Sequence, residues 1–290
     1  MQRLGSIEAW RGYADDQRRG GRRIGLVATM GALHDGHASL VRAAQDLGDV
    51  VVLTIFVNPR QFDDTADLAA YPRTPERDRA YAESLGVDCL VEPTLEQMWP
   101  DYPDPSATTV SVRGVGDVLE GAGRSGHFAG VASVVAKLLA ITGPCRAYFG
   151  EKDFQQIVVV TRMVRDLAFD VEVVGCPIVR DERGLALSSR NRRLDAKGRD
   201  VALALSRALA RASERRAPAS ELRDLMRDVL VAAGVGVDYA EVVDPLTLAP
   251  SSDADRGPRR ALLAGVVDGV RLIDNGPVTL EARSTDVVGD

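Results

Sequence analysis

The sequence is poor in cysteine and contains no long apolar run. Its three cysteines lie far apart and form no CxxC pair. An odd number at wide spacing argues against a disulfide framework or a zinc site and favours reduced thiols. The longest strongly apolar run, residues 50–57, is much shorter than the ~20 residues of a membrane helix. No apolar signal segment follows the N-terminus, so we expect a cytoplasmic protein without a membrane-spanning helix.

The net charge and the scarcity of two residue types limit the possible binding partners and the candidate site residues. The chain carries 36 basic and 42 acidic side chains, which give a net charge of −6. That balance argues against nucleic acid or an anionic membrane as a partner attracted by bulk charge. Histidine and lysine are both scarce, and the chain has three of each: His34, His37, His127, Lys137, Lys152 and Lys197. The candidates for proton transfer and phosphate binding are therefore few.

The hydrophobic pattern predicts two domains in the 290 residues, with a boundary between residues 178 and 179. Residues 1–178 alternate between short apolar runs and helical spacing. Strands are predicted at 24–29, 50–57, 87–91, 147–149 and 171–174, and helices at 38–47, 74–85, 129–141 and 156–167. This alternation predicts an α/β fold, a Rossmann-like, mostly parallel sheet with helices on both faces. Ligands of such sheets bind at the carboxyl ends of the strands.

Residues 179–290 have a different pattern, which predicts a smaller α+β domain that we expect to act as a lid. Its predicted helices and strand are 200–212, 221–233 (opened by Ser220) and 237–243. Asp268-Gly269 between two apolar runs predicts a β-hairpin, which the runs 261–267 and 270–273 would form. Residues 251–258 are predicted to be a mobile loop.

The segment Thr29–His37, TMGALHDGH, follows a predicted strand and enters a predicted helix. Its two histidines, His34 and His37, flank the first turn, where free backbone N–H groups and the helix dipole favour phosphate. The alternative is a polar loop whose histidines only cap the backbone. We favour a functional site because histidine is scarce and the spacing suits one shared ligand.

Three further segments contain candidate ligand-binding side chains. In FGEKDFQQ (residues 149–156), Lys152 could contact phosphate and Gln156 a substrate, whereas the alternative is a solvated charged turn. Two hydroxyls and a guanidinium in residues 187–191, LSSRN, suit an anionic group, although such residues are common in loops. Asn58 and Gln61 follow the second strand and could bind a hydroxylated acid or merely end that strand.

The glycine pattern in residues 121–126 matches GxGxxG but follows no strand directly. It also lacks an acidic residue ~20 positions later, so we do not interpret it as a dinucleotide site. No GxxxxGK[ST] sequence occurs, which excludes a P-loop. The neighbouring His127 is either a site residue or a capping histidine.

Taken together and in order, these motifs resemble the pantoate–β-alanine ligase (pantothenate synthetase) family of the nucleotidyltransferase superfamily. The matching pieces are TMGALHDGH, FVNPRQF, AYPRT, GHFAGV, FGEKDFQQ and LSSRNRRL. Ala28 and Leu187 stand where the family usually has Pro and Met. Both departures are apolar and leave every polar group of the motifs in place.

The resemblance implies ATP-dependent ligation of pantoate and β-alanine to pantothenate. The reaction would pass through pantoyl adenylate and release AMP and pyrophosphate. It implies His37, His34 and Lys152 as catalytic residues, with His37 the stronger candidate for proton donation. The implied ATP-binding set is Met30, Gly31, His34, His37, Gly150, Lys152, Asp153, Val179, Leu187, Ser188, Ser189 and Arg190. The implied pantoate-binding set is Met30, Gln61, Gln156 and His127, and Gln61 would also contact β-alanine.

The resemblance also implies Mg²⁺ with ATP and a homodimer, while no protein ligand of the metal is identified. Asp78 is either an acid near that metal or a solvated helix residue. Three other functions remain open. The first is another nucleotidyltransferase. The second is a fragment of an aminoacyl-tRNA synthetase, which would need a basic RNA surface. The third is a non-catalytic nucleotide-binding module, which would not need Gln61 and Gln156.

Overall fold

The computed structural model describes residues 1–282, and the chain divides into two compact units. The first unit comprises Met1–Val179 and the second Arg180–Asp290. In residues 1–282, none of the helices combines the length and the apolar composition that crossing a membrane requires.

The first unit alternates strands and helices, as the hydrophobic pattern predicts. Its strands are β1 (Gln2–Leu4), β2 (Ile24–Thr29), β3 (Val50–Ile55), β4 (Cys89–Val91), β5 (Cys145–Gly150) and β6 (Val171–Cys176). Its helices are α1 (Ile7–Arg19), α2 (Asp35–Asp46), α3 (Thr65–Ala70), α4 (Pro75–Ser84), α5 (Leu95–Met98), α6 (Glu120–Gly123), α7 (His127–Thr142) and α8 (Phe154–Asp166). The elements that sequence reasoning did not predict are β1, α1, α3, α5 and α6.

All six strands of the first unit form one parallel sheet in the order β1-β4-β3-β2-β5-β6. Successive strands from β2 extend the sheet in one direction through β3 and β4, and then in the other direction through β5 and β6. Ligands of doubly wound sheets bind at the strand ends where this direction reverses. Here the reversal lies between the neighbours β2 and β5. The prediction of a Rossmann-like α/β fold is confirmed.

Helices cover both faces of this sheet. Successive side chains of a strand point to opposite faces, so the apolar side chains of each strand pack against helices on both sides. Ile24 and Leu26 of β2 pack on one face in a cluster with α1, α7 and α8. Val27 packs on the other face in a cluster with α2 and α4. Burial on both sides explains why these strands are continuous apolar runs.

The second unit has the predicted α+β character: a four-stranded mixed sheet packs against two helices, and its short strand β7 was not predicted. Its elements are α9 (Ala196–Ser213), β7 (Arg216–Ala217), α10 (Ala219–Ala232), β8 (Gly236–Val243), β9 (Gly257–Val267) and β10 (Val270–Leu280). The sheet order is β7-β10-β9-β8. Asp268 and Gly269 have φ values of 48° and 74°, and Val267 pairs with Val270. Two positive φ values are what a two-residue hairpin needs, so the predicted hairpin is confirmed.

Two predictions for the second unit are wrong in detail. Ser220 does not open α10, because the residue before the helix is Pro218 and the Ser220 hydroxyl donates to Asp253 at 2.7 Å. Residues 251–258 are not loop throughout. Gly257 and Pro258 already belong to β9, where they pair with the end of β10.

A buried carboxylate joins the central strands of the first unit at their amino ends. Asp49, just before β3, accepts a hydrogen bond from the Tyr148 hydroxyl at 2.6 Å and from Arg146 Nη1 at 2.9 Å, both on β5. Burial and the adjacent carboxylate raise the pKa of Tyr148, so its hydroxyl stays a donor. These bonds connect the β3 entry to β5 across the intervening strand β2.

Replacing Asp49 with alanine should lower the free energy of unfolding by about 3 kcal/mol, because the buried Tyr148 hydroxyl loses its acceptor and an ion pair is broken. Urea unfolding followed by circular dichroism measures this loss. Asp46→Ala, at an exposed carboxylate three residues earlier, should change stability by less than about 0.5 kcal/mol. Equal effects of the two substitutions would contradict this role of Asp49.

Candidate active site

The first unit brings most of the predicted site residues to one edge of its sheet. Thr29–His37 follows β2, residues 150–156 follow β5, and Asn58 and Gln61 follow β3. Since these strands are parallel neighbours, their carboxyl ends share one edge. Val179 is the last residue of this unit, whereas residues 187–190 belong to the second unit.

The turn from β2 to α2 has an unusual backbone. Gly31 and Ala32 both have positive φ, 82° and 51°, a conformation that costs a non-glycine residue roughly 1–2 kcal/mol. Asp78 on α4 holds this turn, because its carboxylate accepts hydrogen bonds from Ala32 N at 2.9 Å and Leu33 N at 2.8 Å. The Thr74 hydroxyl donates to the same carboxylate at 3.1 Å.

Asp78 is only 2% exposed, so its interpretation as a solvated helix residue is wrong. Both of its oxygens are occupied by protein donors. We therefore assign it a positioning role for the turn before His34 rather than a role as a metal ligand. The Thr74-Pro75 helix start is the one local signal near it, but nothing in the sequence shows what the buried side chain contacts.

The two histidines of the β2–α2 segment form a reciprocal cap at the start of α2. His34 Nδ1 accepts from Gly36 N at 3.1 Å, and His37 Nδ1 accepts from His34 N at 3.2 Å. Their ring centroids lie 4.1 Å apart. Because Nδ1 of each ring accepts a backbone hydrogen bond, each neutral ring carries its hydrogen on Nε2.

Burial and the neighbouring His34 lower the pKa of His37 to about 3. His37 is therefore neutral at physiological pH and can donate a hydrogen bond from Nε2 without being an imidazolium acid. The capping interpretation of this segment and the functional one are compatible. Nδ1 of each ring accepts from the backbone and orients the ring, which places the hydrogen of the neutral His37 ring on Nε2.

The adjacent glutamines after β5, Gln155 and Gln156, differ in their hydrogen bonding. Gln155 is buried and fully engaged: its Oε1 accepts from Glu120 N at 3.1 Å, and its Nε2 donates to Val115 O and Val118 O, each at 2.8 Å. Gln156 is half-buried, and within residues 1–282 its side chain has no hydrogen-bond partner. Gln155 therefore fixes the 115–120 segment to the start of α8, whereas the Gln156 amide has no such structural role.

Lys152 lies in the short 3-10 turn Glu151–Asp153 between Gly150 and α8. Among its contacts is the Asp153 carboxylate, with Nζ 3.7 Å from Oδ1. The lysine side chain is mostly buried, whereas that of Asp153 is about half exposed. The turn therefore places a compact ammonium close to the end of β5, and an ammonium is a group that binds phosphate.

Asn58, at the end of the β3 segment, is buried and uses all of its hydrogen-bonding capacity within the protein. Its Oδ1 accepts from Trp99 Nε1 at 2.9 Å and Arg60 N at 3.3 Å. Its Nδ2 donates to Gln61 Oε1 at 3.0 Å and to Gly130 O at 3.2 Å. Asn58 therefore positions Gln61 instead of binding a ligand itself.

His127, at the start of α7, lies against the backbone of Gln61. Its Nδ1 is 2.8 Å from Gln61 O, which is an acceptor, so Nδ1 carries the hydrogen and Nε2 accepts from Arg124 Nη1 at 3.2 Å. Burial and the Arg124 charge lower the pKa of His127 to about 4. Both ring nitrogens of this neutral histidine are thus engaged by protein groups.

Residues 187–190 lie in the second unit and form a short capped turn. The Ser188 hydroxyl accepts from Arg190 N at 3.3 Å and starts the 3-10 turn Ser189–Arg193. Asn191 Nδ2 donates to Ala186 O at 2.9 Å and closes the loop base. Leu187, Ser188 and Arg190 are half-buried, and Ser189 is buried.

Comparison with known proteins identifies relatives over nearly the whole chain. A family model described as Pantoate-beta-alanine ligase matches residues 2–277. The pantothenate synthetase of Paracoccus denitrificans (strain Pd 1222) is 53% identical over 265 residues, which cover 90% of this chain and 92% of that protein.

Solved structures agree with the sequence relatives. The crystal structure of pantothenate synthetase from Thermus thermophilus superimposes with a TM-score of 0.86 at 44% identity, covering 95% of this chain and 99% of that one. That of pantoate-β-alanine ligase from Francisella tularensis, complexed with β-γ ATP and β-alanine, gives a TM-score of 0.79 at 32% identity, with 95% and 97% covered. A family model and relatives of this extent show that the chain belongs to the pantoate–β-alanine ligase family.

Proposed function

We propose that this ligase forms pantoyl adenylate at the carboxyl ends of β2 and β5, and that β-alanine then displaces AMP to give pantothenate. The observation that carries this proposal is the placement of the histidine pair and Lys152 after these two neighbouring strands. The relative solved with β-γ ATP and β-alanine supports ATP and β-alanine as substrates.

The first step needs alignment and charge neutralisation rather than a base. A carboxylate with a pKa near ~4 is already ionised at neutral pH and can attack the α-phosphorus directly. We propose that His34 and His37 donate hydrogen bonds to the phosphates through Nε2–H while Lys152 supplies a positive charge. The low pKa of His37 favours this role over the proton donation that the family resemblance suggested.

We assign the remaining positions by the substrate that each would bind or help to position. For ATP, the assigned residues are Met30, Gly31, His34, His37, Gly150, Lys152, Asp153, Val179, Leu187, Ser188, Ser189 and Arg190. For pantoate they are Met30, Gln61, Gln156 and His127, and Gln61 also meets β-alanine. Gln156 suits this role because its amide is uncommitted. We propose that His127 acts by holding the Gln61 backbone.

We propose that Mg²⁺ enters with ATP, held by phosphate oxygens. Within residues 1–282 there is no group of three or more His, Cys, Asp or Glu side chains that could hold a metal ion. The buried carboxylate of Asp78 is occupied by backbone N–H groups. The described part of the chain therefore offers no preformed metal site, and no step of the mechanism is assigned to the ion.

We further propose that the chain acts as a homodimer in the cytoplasm. The homodimer rests on the family resemblance alone. The location is supported by Cys89, Cys145 and Cys176, which are free and buried. Free thiols are typical of a reducing compartment.

The reaction is tested by product analysis of the purified chain. AMP and pyrophosphate should appear with ATP only when pantoate is present, and pantothenate only when β-alanine is added. Chromatography of the nucleotides with mass spectrometry of the acid product distinguishes the possibilities. ADP release would exclude the adenylate, and a stable nucleotide-linked product would indicate a different nucleotidyltransferase.

Lys152→Ala should raise the activation free energy of pantoyl adenylate formation by about 2–4 kcal/mol, because a charge contact of the transition state is lost. Lys152→Arg should restore only part of the rate, since the planar guanidinium reaches the phosphates differently. Rapid-quench single-turnover assays measure both, with folding checked by thermal melting. Lys197→Ala, at an exposed lysine on α9, is the matched control. A folded Lys152→Ala protein with a normal rate would show that Lys152 makes no charge contact with the phosphates in the transition state.

The stability of the first unit should fall as the pH drops below 6.5, in part because of His37. Its pKa is about 3 in the folded protein and near 6.5 when unfolded. Between these values the unfolded chain binds the proton and the folded chain does not, so acid favours unfolding.

His37→Gln removes this titration while keeping an ordinary capping residue at the third helical position. The difference in unfolding free energy between pH 7 and pH 5 should therefore be smaller for His37→Gln than for the parent protein. Urea unfolding at the two pH values measures it. The control is the interval from pH 8 to pH 7, where the change in unfolding free energy should be about the same in the parent protein and in His37→Gln. An unchanged pH 7-to-5 difference in the variant would contradict the low pKa.

A further inference from the structure

Trp99, directly after α5, has a buried indole N–H that points to the substrate site through one intermediate amide. The indole donates to Asn58 Oδ1 at 2.9 Å. Its ring is contacted by two cations: Arg60 Cζ lies 5.2 Å and Lys137 Nζ 5.3 Å from the ring centroid. Lys137 also donates to the carbonyls of Gln97 and Met98 at the end of α5. The indole is therefore held in one orientation.

The polarity of these contacts is fixed by chemistry. An indole N–H can only donate, so the Asn58 atom that faces Trp99 must be the oxygen. The backbone N–H of Arg60 and the carbonyl of Gly130 require the same assignment. The Asn58 amide nitrogen must then face Gln61, and the Gln61 atom that meets it must be the carbonyl oxygen Oε1.

The remaining end of Gln61 is consequently its NH₂ group. Within residues 1–282, Gln61 Nε2 makes no hydrogen bond, and the residue is half-buried. The backbone carbonyl of Gln61 is separately held by His127 at 2.8 Å. The backbone carbonyl and the side-chain Oε1 of Gln61 are thus both held by the protein. Only the two N–H donors of Nε2 remain for a ligand.

We infer that Trp99 is a positioning residue that acts through Asn58 to turn the NH₂ group of Gln61 toward the substrate. At this point the site selects a hydrogen-bond acceptor, such as a carboxylate or hydroxyl oxygen of the acid substrate, and disfavours a donor. The inference rests on the proposed function in one respect, the placement of pantoate at Gln61.

The polarity of Gln61 is tested by two substitutions at that residue. Gln61→Ala removes the contact and should raise the KM for pantoate about 3- to 10-fold. Gln61→Glu keeps the shape and the acceptor for Asn58 but presents an anionic oxygen to an anionic substrate, so its KM should rise at least about 10-fold further. The KM for ATP should stay within about twofold in both variants.

The two possible failures are distinguishable. An unchanged KM for pantoate in Gln61→Ala would remove pantoate from Gln61, and with it the proposed site and the inference. A raised KM in Gln61→Ala together with an equal or smaller rise in Gln61→Glu would leave the proposed site in place and overturn the amide orientation.

The role of Trp99 is tested by Trp99→Phe, which keeps an aromatic ring for the two cations and removes the N–H. It should raise the KM for pantoate about 3- to 10-fold with little change in the KM for ATP. Trp10→Phe is the matched control, because Trp10 is fully buried in the same unit and its Nε1 has no partner within residues 1–282. Trp10→Phe should leave both KM values unchanged.

A double substitution separates positioning from general loss of stability. If Trp99 acts through Gln61, then Trp99→Phe should have no further effect on the KM for pantoate in the Gln61→Ala background. Additive effects in a protein that melts normally, or an unchanged KM in Trp99→Phe alone, would overturn the positioning role.

Discussion

The hydrogen bonds between the Asp78 carboxylate and the β2–α2 turn are the interaction on which the site geometry depends. Two successive left-handed residues are needed to lead the chain from β2 into α2 at this angle. Gly31 adopts such a conformation readily, and a Cβ there would lie 3.1 Å from Asp78 Oδ2. Ala32 is strained, and the two N–H···carboxylate bonds offset that strain. The start of α2, and so the place of His34, is set by a helix that follows much later in the sequence.

A close backbone approach sets the other side of the site. Gly130 of α7 packs so tightly on the turn after β3 that a Cβ would lie 2.1 Å from Arg60 O and 2.8 Å from Gln61 Cα. Only glycine fits there, and its carbonyl is also an acceptor for Asn58. The GHFAGV segment thus contributes through its backbone and through His127, which holds the Gln61 carbonyl. GHFAGV and the FVNPRQF segment after β3, which are far apart in the sequence, therefore pack directly against each other.

Elements buried on one or both faces were predictable because their apolar pattern is strong, as in β2, β3 and α7. Helix α1 was not, because six of the 13 residues in IEAWRGYADDQRR are charged, the segment includes Gly12, and only Trp10 and Ala14 are buried. The strand β10 was predicted only as far as Ile273, because Asp-Asn-Gly-Pro at 274–277 is typical of a turn. In the structure these residues continue the pairing with β9. The Asp274 carboxylate is satisfied by Arg180 Nη1 and Nη2 at 2.6 and 2.9 Å, a long-range contact that no local pattern reveals.

For the site, the sequence identified the segments that contain candidate site residues. It did not identify which atom of each side chain hydrogen-bonds to the protein itself. Motif order marked His34, His37 and Gln61, yet Nδ1 of each histidine and Oε1 of the glutamine are committed to the protein. This commitment leaves the Nε2–H of the neutral His37 ring and the NH₂ group of Gln61 as hydrogen-bond donors. A polyphosphate and a carboxylate both present acceptor oxygens, and negative charge develops on the pyrophosphate as it leaves. A fixed set of N–H donors is complementary to that charge and, being neutral, does not hold the anionic products as strongly as a cluster of cations would.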